Sequence, residues 1–167
     1  MKCLRINQKN WLNRRLNNKN LKNYTSSVPV LDSISRIEFR LSQAGATHIG
    51  KTYVDQKPVG IMFQIDVNGM PMSFKLPAKP DKVFEYMIKQ KKQGFKDNVR
   101  ETTRLQADRT AWKILSDWVE IQISLIELDQ AEPMEVFMQY LYDGKKDKTL
   151  YEIAKGDGFK MLTSGGK

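Results

Sequence analysis

The chain has one cysteine, Cys3, and one histidine, His48, too few for an internal disulfide or a Cys/His zinc site. Gly45-Ala-Thr-His-Ile-Gly-Lys-Thr52 has the spacing of a phosphate-binding loop, but its second half falls in a predicted strand rather than in a loop that opens a helix, and no nucleophile elbow or metal-ligand cluster is present. The turn acids Asp55, Asp66 and Asp143 are separated by predicted elements and read as capping groups. These residues predict a protein that is not an enzyme and that takes no metal and no cofactor. The chemistry that remains is electrostatic.

The net charge is +9 over 167 residues, and it is unevenly spread. Residues 1–30 hold seven basic residues and no acid, Arg14, Arg15 and Lys19 among them, whereas the remainder is close to neutral. Such an arm attracts phosphate, each contact releasing counterions, although a solubilising tail has the same composition. A second concentration runs from Lys79 to Arg109, nine basic residues against five acids. Within it Lys89, Lys91, Lys92, Lys96, Arg100 and Arg104 form a basic corner around Phe95. Arg100 and Arg104 share a helix face, where like charges repel, so an anionic partner or the nearby Glu101 and Asp108 must compensate. From Thr110 to Asp143 one lysine faces seven acids, which reads as a solvated face or as a surface for docking on a basic protein.

The elements that position these charges follow from hydrophobic spacing. Ile34, Ile37, Leu41 and Ala44 predict a helix over 33–44, with Asp32 or Ser33 as N-cap and Gly45 as stop. Two strands then flank Asp55–Pro58, and Asn68-Gly69 closes a hairpin of type I′ geometry. With that two-residue turn Val67 faces Met70, Ile65 faces Met72, Phe63 faces Phe74 and Ile61 faces Leu76. Every pair on this face is apolar, which fixes register and core face together. The opposite face offers Met62, Gln64, Asp66, Ser73 and Lys75, neither basic nor aromatic enough to hold nucleic acid as single-strand-binding sheets do. Pro71 marks the third strand as an edge.

A helix over about 80–93 follows, then a long one over about 98–130 with two apolar stripes. One is Trp112, Leu115, Val119, Ile123 and Ile126; the other is Ile114, Trp118, Ile121, Leu125 and Leu128. Such a helix is expected to be covered on two sides. Pro133 opens a short helix, and Lys148–Gly156 predicts a last turn or two. The fold class is α+β: a three-stranded antiparallel meander packed against an N-terminal helix and a C-terminal helical set with one long central helix. The domain is expected over 27–162, between a flexible arm over 1–26 and a frayed end over 163–167. No apolar run is long enough to span a membrane, and the N-terminus lacks an apolar signal core, so no membrane association is expected.

The segments "SVPVLDSISRIEFRLSQAGA", "GIMFQIDVNGMPMSFKLP", "RLQADRTAWKILSDWVEIQISLIEL" and "MQYLYDGKKDKTLYE" resemble, in order, a small uncharacterised protein family of tailed phages and prophages. The resemblance covers about residues 27–155. It implies a phage or mobile-element origin, a bacterial host cytoplasm and a setting in DNA replication or recombination. The arm and the Lys145–Lys148 insertion lie outside its pattern. The order helix–strand–strand–strand–helix is also that of a double-stranded RNA-binding domain, but the basic-alanine run at the second helix is absent.

The expected function is nucleic-acid binding, to DNA or RNA, through Lys89, Lys91, Lys92, Lys96, Arg100, Arg104, Arg14, Arg15 and Lys19. The alternative is a phage-encoded inhibitor that binds a host protein through the acidic helices.

Overall fold

A computed structural model describes residues 21–90 and 97–160. The first helix, α1 (Val30–Gln43), starts three residues before the expected N-cap. Pro29, with φ −57° and ψ 149°, sets the chain at the helix entrance, and its carbonyl accepts from the Ser33 N–H. Neither Asp32 nor Ser33 caps the helix; Ser33 lies inside it and is buried. Proline preset the start where a polar cap was expected. Ile34, Ile37 and Leu41 face inward as the spacing requires.

The meander consists of β1 (His48–Val54), β2 (Lys57–Val67) and β3 (Met70–Pro77), antiparallel in the order β1-β2-β3. The β2–β3 register is the one the hairpin turn dictates, with Phe63 opposite Phe74 and Ile61 opposite Leu76. Asn68 and Gly69 both adopt positive φ, and Asp66 Oδ1 accepts from the Gly69 N–H at 2.7 Å. The first turn is tighter than expected: Asp55 and Gln56 alone make it, both at positive φ, and Lys57 and Pro58 belong to β2. β3 is the edge strand, touched on its outer side by an isolated bridge from Leu141 to Phe74.

Two long helices complete the frame. α2 (Pro80–Gln90) and α3 (Asp97–Glu127) pack on one another, and α1 packs on α3. The first stripe of α3 enters the core: Trp112, Val119 and Ile123 are buried beside Phe63 and Phe74. The Trp112 indole N–H donates to the Pro58 carbonyl at 3.2 Å, tying helix to sheet. The second stripe is only partly covered, with Ile121 and Leu128 more than half exposed. The helix also ends earlier than expected, because Asp129 turns left-handed and the Gln130 N–H closes back on the Leu125 carbonyl.

After α4 (Pro133–Phe137) and a 3₁₀ turn (Met138–Tyr140), a two-stranded ribbon of β4 (Tyr142–Asp143) and β5 (Lys148–Thr149) leads into α5 (Leu150–Gly156). Phe137 and Trp118 make edge contacts that continue the Phe63–Phe74 stack.

Candidate nucleic-acid interface

The long helix presents a polar row at Gln106, Thr110, Lys113 and Asp117, on one face by their three- and four-residue spacing. That row grips the chain ahead of α1. Gln106 Nε2 donates to the carbonyls of Tyr24 and Ser26 at 2.9 and 3.0 Å, and Thr110 Oγ1 donates to that of Asn23 at 3.0 Å. The Asp117 carboxylate accepts from Asn23 Nδ2 at 2.9 Å and pairs with Lys22 at 3.2 Å and with Lys113. Partial burial pushes this carboxyl up, but the hydrogen bonds from Lys113, Asn23 and Lys22 together outweigh it and bring the pKa down to about 2. Residues 22–26, which the sequence assigns to the arm, are thereby fastened to α3. Beside them Tyr24 and Thr25 share a hollow with Met87 of α2 and Thr102 and Thr103 of α3.

Lys89 lies two residues beyond Met87, and Arg100 about one turn before Thr103 and two before Gln106. Both are exposed, and neither makes an ion pair among the described residues. The root of the arm thus lies on the side where α2 ends and α3 begins. Lys91, Lys92, Lys96, Arg14, Arg15 and Lys19 fall outside the described residues.

Arg104 belongs to a different environment from the rest of the expected set. Its Nη1 pairs with Asp81 at 2.6 Å, its Nε lies 3.3 Å from Asp108, and the guanidinium lies over the Phe84 ring. Of the two compensations open to Arg100 and Arg104, the internal one serves Arg104. A phosphate would have to displace two carboxylates to reach it. Burial raises the Asp108 pKa, and Arg104 and Lys57 pull against that rise.

These groups form one wall of a cleft of about 410 Å³, whose other walls include Leu31, Val54, Pro58 and Trp112. Arg104 is held there by Asp81 and Asp108, so the cleft lies at a junction between α2, α3 and the β1–β2 turn whose arginine is already engaged.

Three acids of the second half of the helical set also have internal work. Glu127 pairs with Arg40 at 3.0 Å, Glu135 accepts from the Glu132 N–H at the start of α4, and Asp117 holds the arm root. The signal for that clamp was present in the sequence, as four polar residues at three- and four-residue spacing along one face of the helix. So was the capping box of α5, Thr149-x-x-Glu152, in which Thr149 Oγ1 accepts from the Glu152 N–H and the Glu152 carboxylate accepts from the Thr149 N–H.

His48 is exposed on β1, its Nδ1 3.2 Å from Thr47 Oγ1. Among the described residues no group of three His, Cys, Asp or Glu side chains is placed to hold a metal ion, and no helix is long and apolar enough to cross a membrane. The fold and this surface define an α+β protein whose residues 22–26 are clamped to its long helix. No family model, curated protein or solved structure matches the chain.

Proposed function

We propose that the protein binds nucleic acid without acting on it, through the basic arm and the corner between α2 and α3. The observation that carries this reading is the fastening of residues 22–26 to α3, which roots the arm beside the helix ends that bear Lys89 and Arg100. An arm and a corner on one side can neutralise adjacent phosphates together. Lys91, Lys92 and Lys96, between α2 and α3 in the sequence, and Arg14, Arg15 and Lys19, ahead of the fastened segment, are joined to this reading by their sequence positions alone. Arg104 is left out, because Asp81 and Asp108 hold it.

The resemblance to tailed-phage and prophage proteins supports a role in phage or mobile-element DNA metabolism, in the host cytoplasm. The alternative, an inhibitor docking on a host protein through acidic helices, draws less support because Asp117, Glu127 and Glu135 are engaged internally.

The reading is tested by titrating labelled DNA or RNA at increasing salt. Affinity should fall steeply, and neutralising Lys91, Lys92 and Lys96 to Gln should lower the log–log slope by about 0.9 per lost duplex contact. Binding indifferent both to salt and to these substitutions would sink it.

A further inference from the structure

Where β3 passes into α2, a hollow of about 250 Å³ opens between Lys79, the 3₁₀ residues Gln139 and Tyr140, and Tyr151 and Lys155 of α5. Lys79 is in left-handed backbone, φ 51°, a conformation uncommon for residues other than glycine. The Ala78 N–H, bonded to the Val59 carbonyl, and the Lys79 carbonyl, bonded to the Lys82 N–H, hold the turn on either side. The chain is bent there so that Lys79 stands exposed at the rim.

Tyr151 is 45 % exposed, and its ring is backed by Phe159 at a centroid distance of 5.9 Å. Phe159 is itself left-handed, with its N–H on the Ala154 carbonyl at 2.7 Å. Tyr151 is therefore held by a tilted ring contact at 53° while nearly half of it stays exposed beside the hollow.

The charges around that ring are unequally matched. Glu152, the acid of the hollow, faces the helix start and accepts from the Thr149 N–H at 2.8 Å and its Oγ1 at 3.0 Å. Lys75 is drawn off by Asp147 at 3.2 Å. Lys79 lies near enough to Glu152 to help hold that carboxyl below its ordinary range, but neither Lys79 nor Lys155 makes an ion pair among the described residues. Two ammonium groups outside any ion pair, beside a half-exposed ring, are the parts by which proteins hold single strands: bases stack and phosphates are neutralised.

We propose that this hollow takes one unstacked nucleotide of a single-stranded nucleic acid, its base on Tyr151 and its phosphodiester between Lys79 and Lys155. The inference rests on the nucleic-acid reading above and makes it specific for single strands, since a duplex keeps its bases stacked out of reach of the ring. It also gives the strand a path. α2 begins at the residue after Lys79 and carries Lys89 near its end, about 14 Å along the helix at the helical rise, and so links the hollow to the basic corner.

The test is fluorescence anisotropy with labelled oligo(dT) and with a blunt duplex of equal length, at fixed salt. The intact protein should prefer oligo(dT). Tyr151→Ala should weaken oligo(dT) roughly 5- to 100-fold and leave the duplex unchanged, while Tyr151→Phe, which keeps the ring, retains binding. Lys79→Gln with Lys155→Gln, both at exposed positions that leave the fold intact, should lower the single-strand salt slope by about 1.4.

Oligo(dT) binding by Tyr151→Ala equal to that of the intact protein overturns the inference. If Lys89→Gln with Arg100→Gln weakens binding while the Tyr151 and Lys155 variants do not, the hollow is wrong and the corner stands. If the intact protein binds neither probe at low salt, both readings fall.

Discussion

The two stretches of α3 that carry most of its polar side chains are used in opposite ways. Along Gln106–Asp117 every polar group of the clamp has a partner, and the partners are carbonyls, an amide and an ammonium of the segment 22–26. At the N-terminal end Arg100 stands exposed and, among the described residues, outside any ion pair, as does Lys89 at the end of the adjoining helix. Residues that satisfy one another stabilise a fold; residues left unsatisfied at a surface are available to a ligand. Arg104 lies between the two stretches in sequence and sides with the first. The lesson is that spacing along a helix groups charges, but only the neighbouring elements decide which of them are engaged.

Substitutions at the clamp should show the contrast most strongly. Replacing Gln106 by Ala together with Thr110 by Val removes three hydrogen bonds to the carbonyls of residues 23–26. Urea denaturation should register a loss of about 2–3 kcal/mol, and proteases should cut residues 22–26 faster. An unchanged midpoint would mean that the clamp is ornamental.

Next comes Arg104→Met, which leaves Asp108 without its cation in a partly buried position. A loss of about 1–2 kcal/mol is expected near neutral pH, with solvent screening at the exposed Asp81 side limiting the effect. Because the unpaired carboxyl then binds protons more readily, the deficit should shrink as the pH is lowered. A pH-independent deficit would assign the loss to the packing of Arg104 on Phe84 instead.

The Asp117 carboxyl supplies a smaller, pH-controlled effect. Its folded value, about 2, lies below the ordinary carboxylate value of about 3.9. The stabilisation is therefore complete above about pH 4 and disappears as the pH falls toward about 2. Amide exchange over residues 22–26 should rise across that window, and Asp117→Asn should abolish the rise.

The smallest expected change in stability belongs to Lys89→Gln with Arg100→Gln, within about 0.5 kcal/mol of the parent. The same pair should nonetheless lower the salt slope of duplex binding by about 1.8. Large destabilisation by this pair, or none of the binding loss, would erase the distinction between the two stretches.

Much of the fold was legible in the residues. Asn68-Gly69 and the apolar alternation around it determine the β2–β3 register pair by pair, because a one-residue slip would expose Phe63 and Phe74 together. The first stripe of α3 was equally clear, since Trp112, Val119 and Ile123 repeat at helical spacing. The start of α1 was misplaced because a proline, not a polar side chain, sets it. The second stripe was overestimated because periodicity records which residues share a face and not what lies opposite.

The surface was less legible. Asp81 reaches Arg104 across 23 residues, and Asn23 reaches Asp117 across 94, so neither pairing follows from local spacing. Thr149 and Glu152 are different: their capping box was written in four consecutive residues and passed unnoticed among the charges around it.

The clamp has a consequence in time as well as in space. Residues 22–26 emerge well before the side chains that hold them, which belong to residues 106–117. At about 5–20 residues per second, some 5–20 s separate the appearance of Asn23 from that of Asp117. For that interval the basic arm is tethered to a ribosome, itself dense in phosphate, with no helix yet made to receive its root. Docking of the arm is thus a late event in the birth of the molecule, and any early partner meets the arm before it meets the fold.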